Sequence, residues 1–370
     1  MYNFFKIKID KNRVFGLDIL RTIAVCMVTY QHAGALFLQN YLHLYHKIVF
    51  DGVSIFFVLS GFLIGSILIK QIEKRSFTFK ELLTFWQKRW SRTLPNYYLF
   101  LTIAIILYFI RDTTTPINFY EYILFLQNLA HRPSKYFSIS WSLSVEEWFY
   151  LTIPLLVFLL LKFLKTTPKK SVFITIITII IFGIVIRYHY LSSGNNIIDD
   201  LHFSVLYRID SIVYGVLGAY VYHYYKDFWG KYKYHFLMLG IAGVSLYFTP
   251  VSNKFYNYVL SYSLTSITVL CFLPFLNNIK TSNSKLYKPI TYISLISYST
   301  YLIHMLVIDL ILYIDNWEFG IHLVNNYDLP WSALKLFYYI LFWIITILLS
   351  IINYKYFEVP TTNYLRKFIK

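Results

Sequence analysis

The first long apolar stretch, residues 18–34, carries three ionisable side chains of a kind that membrane-spanning helices rarely contain. Arg21 and His32 are eleven residues apart, so in an α-helix they would differ by only about 20° of rotation and about 16 Å of rise. Asp18 stands three residues before Arg21, close enough for the two to pair. A neutral imidazole is the usual general base near pH 7. The spacing predicts either a structural ion pair beside a buried histidine, or a catalytic base and a basic group on one helix face.

A basic block ends the most basic loop of the chain, in FWQKRWSRTLPNYY, and contains Lys88, Arg89 and Arg92. Arg89 and Arg92 share one face if the stretch is helical, because residues i and i+3 are neighbours there. A guanidinium group can bind phosphate through two parallel hydrogen bonds, whereas a lysine offers a point charge, so we rank Lys88 below the two arginines. Taken alone, the block favours an ordinary cytoplasmic basic cluster or a lipid-headgroup site, with a phosphate site as the alternative.

Polar residues also interrupt the second and fourth apolar stretches. Residues 51–65 (DGVSIFFVLSGFLIG) combine Ser60 with glycines, which favours close helix packing or close approach of a ligand. The fourth stretch begins ISWSLSVEEWFYL and contains Trp141, Glu146 and Glu147. Adjacent side chains point in different directions on a helix, so at most one of the two carboxylates is expected to face a shared site. The aromatic residues there are also compatible with an interfacial belt.

Two later stretches carry ionisable residues as well. Arg208 and Asp210 lie in the sixth stretch (YRIDSIVYGVLG), where they are expected to pair with residues of other helices. His304 lies about fourteen residues into the ninth stretch, near the middle of the bilayer at roughly 1.5 Å per residue. The pattern places the basic block at one surface of the membrane, and it places the histidines and carboxylates deeper in the membrane. This layout is typical of a site that receives an anionic donor from one side and an acceptor from the other.

The composition requires these residues to be positioned by membrane helices. The chain of 370 residues is 57% hydrophobic and 14% charged, against about 25% charged in soluble domains. A spanning helix needs about 20 mainly apolar residues. The sequence therefore predicts an all-α, polytopic membrane protein with about ten transmembrane helices, near 17–38, 49–69, 94–110, 141–164, 171–190, 205–225, 235–249, 256–277, 290–314 and 334–357.

The distribution of lysine and arginine predicts the orientation. With the N-terminus inside, twenty-five of the 34 basic residues fall in cytoplasmic segments, six fall outside and three lie within spans. Basic residues concentrate on the cytoplasmic side of membrane proteins, so both termini are expected to be cytoplasmic. The net charge of +16 then marks that face of the protein and indicates no nucleic acid partner. Residues 117–129 are short and mixed, and predict an interfacial or re-entrant segment.

Taken in chain order, the polar blocks resemble those of the acyltransferase 3 family of membrane acyltransferases. The R-x10-H pattern of the family matches Arg21 and His32. The later blocks are matched by GVSIFFVLSGFLI (52–64), KRWSRTLP, WSLSVEEWFY, Arg208 with Asp210 and Gly215, SYSTYLIH ending at His304, and Phe357 with Glu358 and Pro360. Each block alone is weak, but seven in order over essentially the whole chain are specific. Lys88 departs from the family, which commonly has arginine there.

The resemblance implies O-acylation, usually O-acetylation, of a cell-envelope carbohydrate such as lipopolysaccharide O-antigen, exopolysaccharide or capsule. Acetyl-CoA is implied as the cytoplasmic donor, with no metal. The expected location is a bacterial cytoplasmic (inner) membrane, in contact with lipids. Residues 1–370 are expected to form a single transmembrane acyltransferase domain, resembling members without a fused extra-cytoplasmic hydrolase-like domain.

The same resemblance implies roles for the residues singled out above. His32 would be the general base, in a catalytic set with Arg21, Glu146 and His304. Arg89 and Arg92, and after them Lys88, would bind the phosphates of the donor. The structural or acceptor-site candidates are Asp18, Ser60, Trp141, Arg208 and Asp210.

Two other functions fit a multi-spanning aromatic-rich chain. A secondary transporter or glycolipid flippase would use buried arginine, histidine and glutamate for proton or substrate binding, but no internal repeat is visible. A membrane glycan polymerase or ligase would be expected to carry basic residues in large outside loops, where this chain has few.

Overall fold

The computed structural model describes residues 7, 9, 13–37, 49–74, 77–110, 117–133, 136–194, 197–314 and 330–369. Every regular element within these ranges is helical, and none of their residues forms a β-strand. The all-α fold class predicted from the apolar stretches is therefore confirmed.

The long helices follow the apolar stretches of the sequence. They are α1 (Phe15–Phe37), α2 (Gly52–Lys74), α3 (Phe79–Ile110), α5 (Ser140–Phe163), α6 (Pro168–Ser192), α8 (Val205–Tyr224), α10 (Lys233–Tyr247), α11 (Ser261–Leu276), α12 (Tyr287–Ile314) and α13 (Trp331–Asn353). The shorter ones are α4 (Phe119–Ile123), α7 (Ile198–Phe203), α9 (Lys226–Lys231) and α14 (Val359–Arg366). One π-helical turn, Tyr256–Leu260, leads into α11, and another, Tyr354–Glu358, joins α13 to α14.

Seven helices in the described part of the chain are long and apolar enough to cross a membrane, so this is a multi-pass membrane protein. All ten predicted spans coincide with helices. The three that fall outside the seven are α1, α8 and α10. The last has only 15 residues, and polar side chains such as Arg21 and Arg208 lower the hydropathy of the other two. The number of spans and the cytoplasmic termini remain predictions. Residues 117–129 contain only the five-residue helix α4 and a following turn.

Helices α2 and α8 approach each other so closely that two glycines lie at their contact. A Cβ atom added to Gly61 would lie 1.9 Å from the carbonyl oxygen of Ile212. A Cβ atom added to Gly215 would lie 2.0 Å from the carbonyl oxygen of Val58. The small residues of the second apolar stretch thus serve helix packing here.

A fully buried ion pair joins α6 to α8. Arg187 donates to both carboxylate oxygens of Asp210, at 2.9 and 2.8 Å, and neither side chain is exposed. Arg187 also donates to the carbonyl oxygen of Val259 at 3.0 Å and to Ser263 Oγ at 2.8 Å. A buried charge is tolerated only when it is paired and fully hydrogen-bonded. Asp210 therefore has a structural role in the bundle.

A buried polar cluster fixes the segment that leads into α14. Ser299 Oγ donates to Glu358 Oε2 at 2.6 Å, and Asn353 Nδ2 donates to Ser299 Oγ at 2.8 Å. Asn353 also donates to Asn96 Oδ1 at 2.9 Å. The cluster ties α3, α12 and the end of α13 together, and it directs α14 back against α3.

Replacing Gly61 with alanine is expected to destabilise the protein by about 3 kcal/mol or more, because the added methyl group meets backbone rather than a movable side chain. The thermal unfolding midpoint of the purified protein in detergent measures this. Gly230→Ala is the matched control, since nothing lies within 4 Å of a Cβ atom there. Equal midpoints for the two variants would show that α2 and α8 have room to separate.

Candidate active site

The first of two large cavities is bordered by the beginnings of α1 and α3 and by the end of α14. We call it the arginine cavity; its volume is about 510 Å³. Its lining includes five arginines, namely Arg13, Arg21, Arg89, Arg92 and Arg366. Such a concentration of positive charge around one cavity favours a ligand with several anionic groups.

Asp18 neutralises only one of these arginines. It accepts hydrogen bonds from Arg13, one of them from Nε at 3.0 Å, and from Ser294 Oγ at 2.7 Å. The sequence suggested a pair between Asp18 and Arg21, but the observed partner is Arg13, because Arg13 precedes α1 and can fold back over its first turn. Arg21 is left facing the cavity.

The other arginines come from two distant segments. Arg89 and Arg92 are one turn apart on α3, and the Arg89 guanidinium lies 5.9 Å from the centre of the Phe85 ring. Arg366 comes from α14. Apart from Arg13, none of the five has a carboxylate within salt-bridge distance among the described residues. Lys88 is exposed and does not line the cavity.

One of the two adjacent glutamates faces the arginine cavity. Glu146 Oε2 accepts a hydrogen bond from Tyr150 Oη at 3.0 Å, and Tyr150 Oη lies 3.1 Å from Ser60 Oγ. All three side chains line the cavity. Glu147 points elsewhere and accepts a hydrogen bond from Thr93 Oγ1 at 2.7 Å. The carboxylate predicted for the site is thus beside the arginines and has no hydrogen bond to His32.

The two predicted histidines form a directly hydrogen-bonded pair. His32 Nδ1 lies 2.8 Å from His304 Nε2, and the two rings stack with their centres 5.1 Å apart. His304 Nδ1 lies 3.2 Å from the carbonyl oxygen of Thr300. A carbonyl oxygen only accepts, so in the neutral pair His304 Nδ1 carries its proton and His32 Nδ1 donates to His304 Nε2. This assignment leaves His32 Nε2 with a lone pair that can accept a proton.

His32 lines the second cavity, which we call the histidine cavity. Its volume is about 630 Å³. The polar and aromatic side chains of its lining include His32, Asp51, Trp141, His202, Tyr262 and Tyr301. A carboxylate among aromatic faces provides both a hydrogen-bond acceptor and apolar surface, which suits a polar ligand with apolar faces.

The carboxylate of Asp51 is fixed from two directions. Its Oδ1 atom accepts hydrogen bonds from the backbone N–H groups of Val53 and Ser54, both at 3.0 Å, at the first turn of α2. On the other side lies Arg208, which is fully buried and donates to Ser54 Oγ at 2.9 Å. Its distance to Asp51 Oδ2 is 3.4 Å, and its guanidinium lies 4.5 Å from the centre of the Tyr262 ring. Arg208 therefore supports the wall of the histidine cavity.

The structure distributes the predicted residues unevenly. Those that line the arginine cavity are Asp18, Arg21, Ser60, Arg89, Arg92 and Glu146. His32 and Trp141 line the histidine cavity, His304 holds His32, and Arg208 lies behind Asp51. Lys88 and Asp210 lie away from both cavities.

Several residues of the site were not singled out from the sequence, among them Asp51, Tyr301 and Arg366. Asp51 begins the glycine-containing block, and Tyr301 is one turn before His304, so the motifs contained a signal for both. Arg366 resembles any basic residue of a cytoplasmic tail, and only the fold brings it to the arginines of α3.

Comparison with known proteins identifies the family of the chain. The family described as Acyltransferase domain matches residues 14–355. O-acetyltransferase OatA of Staphylococcus aureus is 26% identical over 376 residues, which cover 93% of this chain and 56% of OatA, and the figures are the same for strains NCTC 8325 / PS 47 and COL. The chain thus spans about half the length of the curated relatives it matches. No solved structure matches it.

Apart from Arg13 and Arg366, the family match includes all the residues that line the two cavities. The resemblance seen in the ordered polar blocks is confirmed, and the chain belongs to the acyltransferase 3 family.

Proposed function

We propose that this protein is a membrane O-acyltransferase that moves an acyl group, namely acetyl, from acyl-CoA to a hydroxyl of a cell-envelope carbohydrate. The observation that carries the proposal is a pair of adjoining cavities: one is lined by five arginines, of which only Arg13 has a carboxylate partner among the described residues, and the other is lined by a histidine prepared to accept a proton. The name of the related O-acetyltransferase supports acetyl as the group transferred.

The donor would bind in the arginine cavity. Coenzyme A carries phosphate groups at two positions of its nucleotide part. Guanidinium groups bind phosphates through paired, charge-assisted hydrogen bonds. Arg21, Arg89 and Arg92 face that cavity, and none of them has a carboxylate partner in the part of the chain that the structure describes. Glu146, held by Tyr150, would sit beside the donor rather than beside the base.

The acceptor would bind in the histidine cavity. Sugar rings combine hydroxyl groups with apolar faces, and these match the Asp51 carboxylate and the Trp141 and Tyr262 rings. The candidate acceptors are envelope glycans such as O-antigen, exopolysaccharide or capsule, or a lipid-linked precursor. With the orientation predicted from the basic residues, the arginine cavity faces the cytoplasm and the histidine cavity faces outward.

The transfer itself needs one base and one leaving thiolate. His32 Nε2 would take the proton of the sugar hydroxyl while the oxygen of that hydroxyl adds to the thioester carbonyl carbon. The C–S bond then breaks, the ester forms, and the CoA thiolate takes up the proton. His304 would hold His32 in the required tautomer, because its own Nδ1 proton is directed to the Thr300 carbonyl oxygen.

The His32→Ala variant is expected to lower transfer by about 100-fold or more, because general-base catalysis typically contributes that much. Purified protein in lipid nanodiscs, radiolabelled acetyl-CoA and an envelope glycan extract provide the assay. Acetyl-CoA binding should be unchanged, since His32 lies in the other cavity. His235→Ala, at an exposed histidine of α10, is the control. Full transfer by His32→Ala would remove His32 as the base. Absence of both acetyl-CoA binding and transfer in the folded wild type would favour the transporter alternative.

The Arg89→Ala variant is expected to raise the Kd for acetyl-CoA by about tenfold, the loss of one charged hydrogen-bonding partner of a phosphate. Equilibrium binding of labelled acetyl-CoA measures this. Lys80→Ala removes one positive charge from the same helix at an exposed site outside the cavity, and controls for the change in net charge. If Arg89→Ala and Lys80→Ala have the same Kd for acetyl-CoA, any loss of affinity comes from the change in net charge and not from a lost contact with a phosphate.

Arg366→Ala is expected to weaken acetyl-CoA binding as well, by about three- to tenfold, because its guanidinium joins those of α3 across the arginine cavity. Lys367→Ala is the matched control, since this neighbour is exposed and does not line the cavity. The same binding assay applies. Wild-type affinity in Arg366→Ala would place the nucleotide away from α14.

A further inference from the structure

The linings of the two cavities have two side chains in common. Among the described residues that line them, only Val53 and Tyr301 contribute to both cavities. Tyr301 is much the larger of the two, and only 6% of it is exposed. The side chain of Tyr301 therefore lies where the arginine cavity and the histidine cavity adjoin.

The ring of Tyr301 is held in place at its hydroxyl end. Its Oη atom lies 3.1 Å from the carbonyl oxygen of Ile139 and 2.6 Å from Ser142 Oγ. The carbonyl oxygen of Ile139 can only accept, whereas in the contact between the two hydroxyl groups either Tyr301 or Ser142 can be the donor. The ring also contacts Phe56 edge-on, with the centres 6.1 Å apart, and lies 5.7 Å from the centre of the His304 ring.

We propose that Tyr301 is a partition that separates bound acyl-CoA from the water of the histidine cavity until an acceptor hydroxyl is in place. This inference rests on the proposed function, and it assigns Tyr301 a positioning role that the sequence motif does not reveal. The tyrosine sits one helical turn before His304, so the same helix carries the partition and the partner of the base.

The need for a partition follows from the chemistry. Water in the histidine cavity can react as a sugar hydroxyl does: its oxygen adds to the thioester carbonyl, His32 takes its proton, and the C–S bond breaks to give acetate and free CoA. A site with a prepared base and an open path to the donor would therefore consume acetyl-CoA without modifying a glycan. Enzymes that handle hydrolysable groups prevent this by excluding water.

The test measures hydrolysis of acetyl-CoA in the absence of any acceptor. Purified full-length protein in nanodiscs is incubated with labelled acetyl-CoA, and released acetate is quantified. Tyr301→Ala is expected to raise hydrolysis by about tenfold, because loss of the ring joins the cavities. Tyr301→Phe keeps the ring but loses both contacts of its hydroxyl, so it is expected to give a smaller rise than Tyr301→Ala. A rise in hydrolysis is a gain of activity, which loss of folded protein would not produce.

A matched control comes from the same helix. Tyr292→Ala removes the same side chain from α12 at a position that lines neither cavity, so hydrolysis should remain at the wild-type level. An equal rise in Tyr292→Ala and Tyr301→Ala would mean general loosening of α12 and would overturn the proposal. So would an equal rise in Tyr301→Phe and Tyr301→Ala, because the ring would then not be the barrier.

A less drastic substitution keeps the test decisive if Tyr301→Ala does not fold. Tyr301→Leu retains apolar volume and is expected to give an intermediate rise in hydrolysis. Acetyl-CoA binding, measured in parallel, separates two kinds of failure. Normal binding with unchanged hydrolysis in both variants would overturn the partition. Absence of acetyl-CoA binding to the wild type would instead overturn the proposed function on which it rests.

Discussion

The structure depends first on the cost of placing charge inside a membrane bundle. An unpaired ion in hydrocarbon loses its hydration, and the penalty falls only when opposite charge and hydrogen bonds replace the water. The bundle meets this requirement for Arg187 and Asp210, which neutralise each other completely. The pair formed by Asp18 and Arg13 meets the same requirement. Among the described residues, Arg21, Arg89, Arg92 and Arg366 have no carboxylate within salt-bridge distance, and all four line one cavity, where a ligand can supply the missing negative charge.

The packing of α2 against α8 positions polar residues in the wall of the histidine cavity. The glycine contact between α2 and α8 brings the backbones of the two helices together, and it thereby places Arg208 of α8 against Ser54 of α2 and against Asp51, which precedes α2. A larger residue at the contact would separate these groups. Packing and site geometry are thus consequences of the same small residues, although the glycines contact no ligand themselves.

The sequence predicted the helices well because their signal is local. Hydropathy over about 20 residues is enough to locate a spanning segment, and each predicted span coincides with a helix. The partners of individual charges are not local. Asp18 was within reach of Arg21, but whether Arg13 would fold back onto it depends on how the chain enters α1. Likewise, His32 and His304 are 272 positions apart, and only the packing of α1 against α12 makes them neighbours. Arg366 carried no signal, because a basic residue near a membrane surface is ordinary.

The arginine cavity draws on both ends of the described chain. Arg13 precedes the first helix and Arg366 ends α14, while Glu358 and its buried partners hold the last segment in place. A polypeptide still emerging from the ribosome therefore contains the histidine of α1 long before it contains a complete anion-binding surface. Until α12, α13 and α14 have been inserted and assembled, the nascent protein lacks both the partner of that histidine and part of the cavity wall. The site can therefore be assembled only after the helices that contribute its last residues have been made.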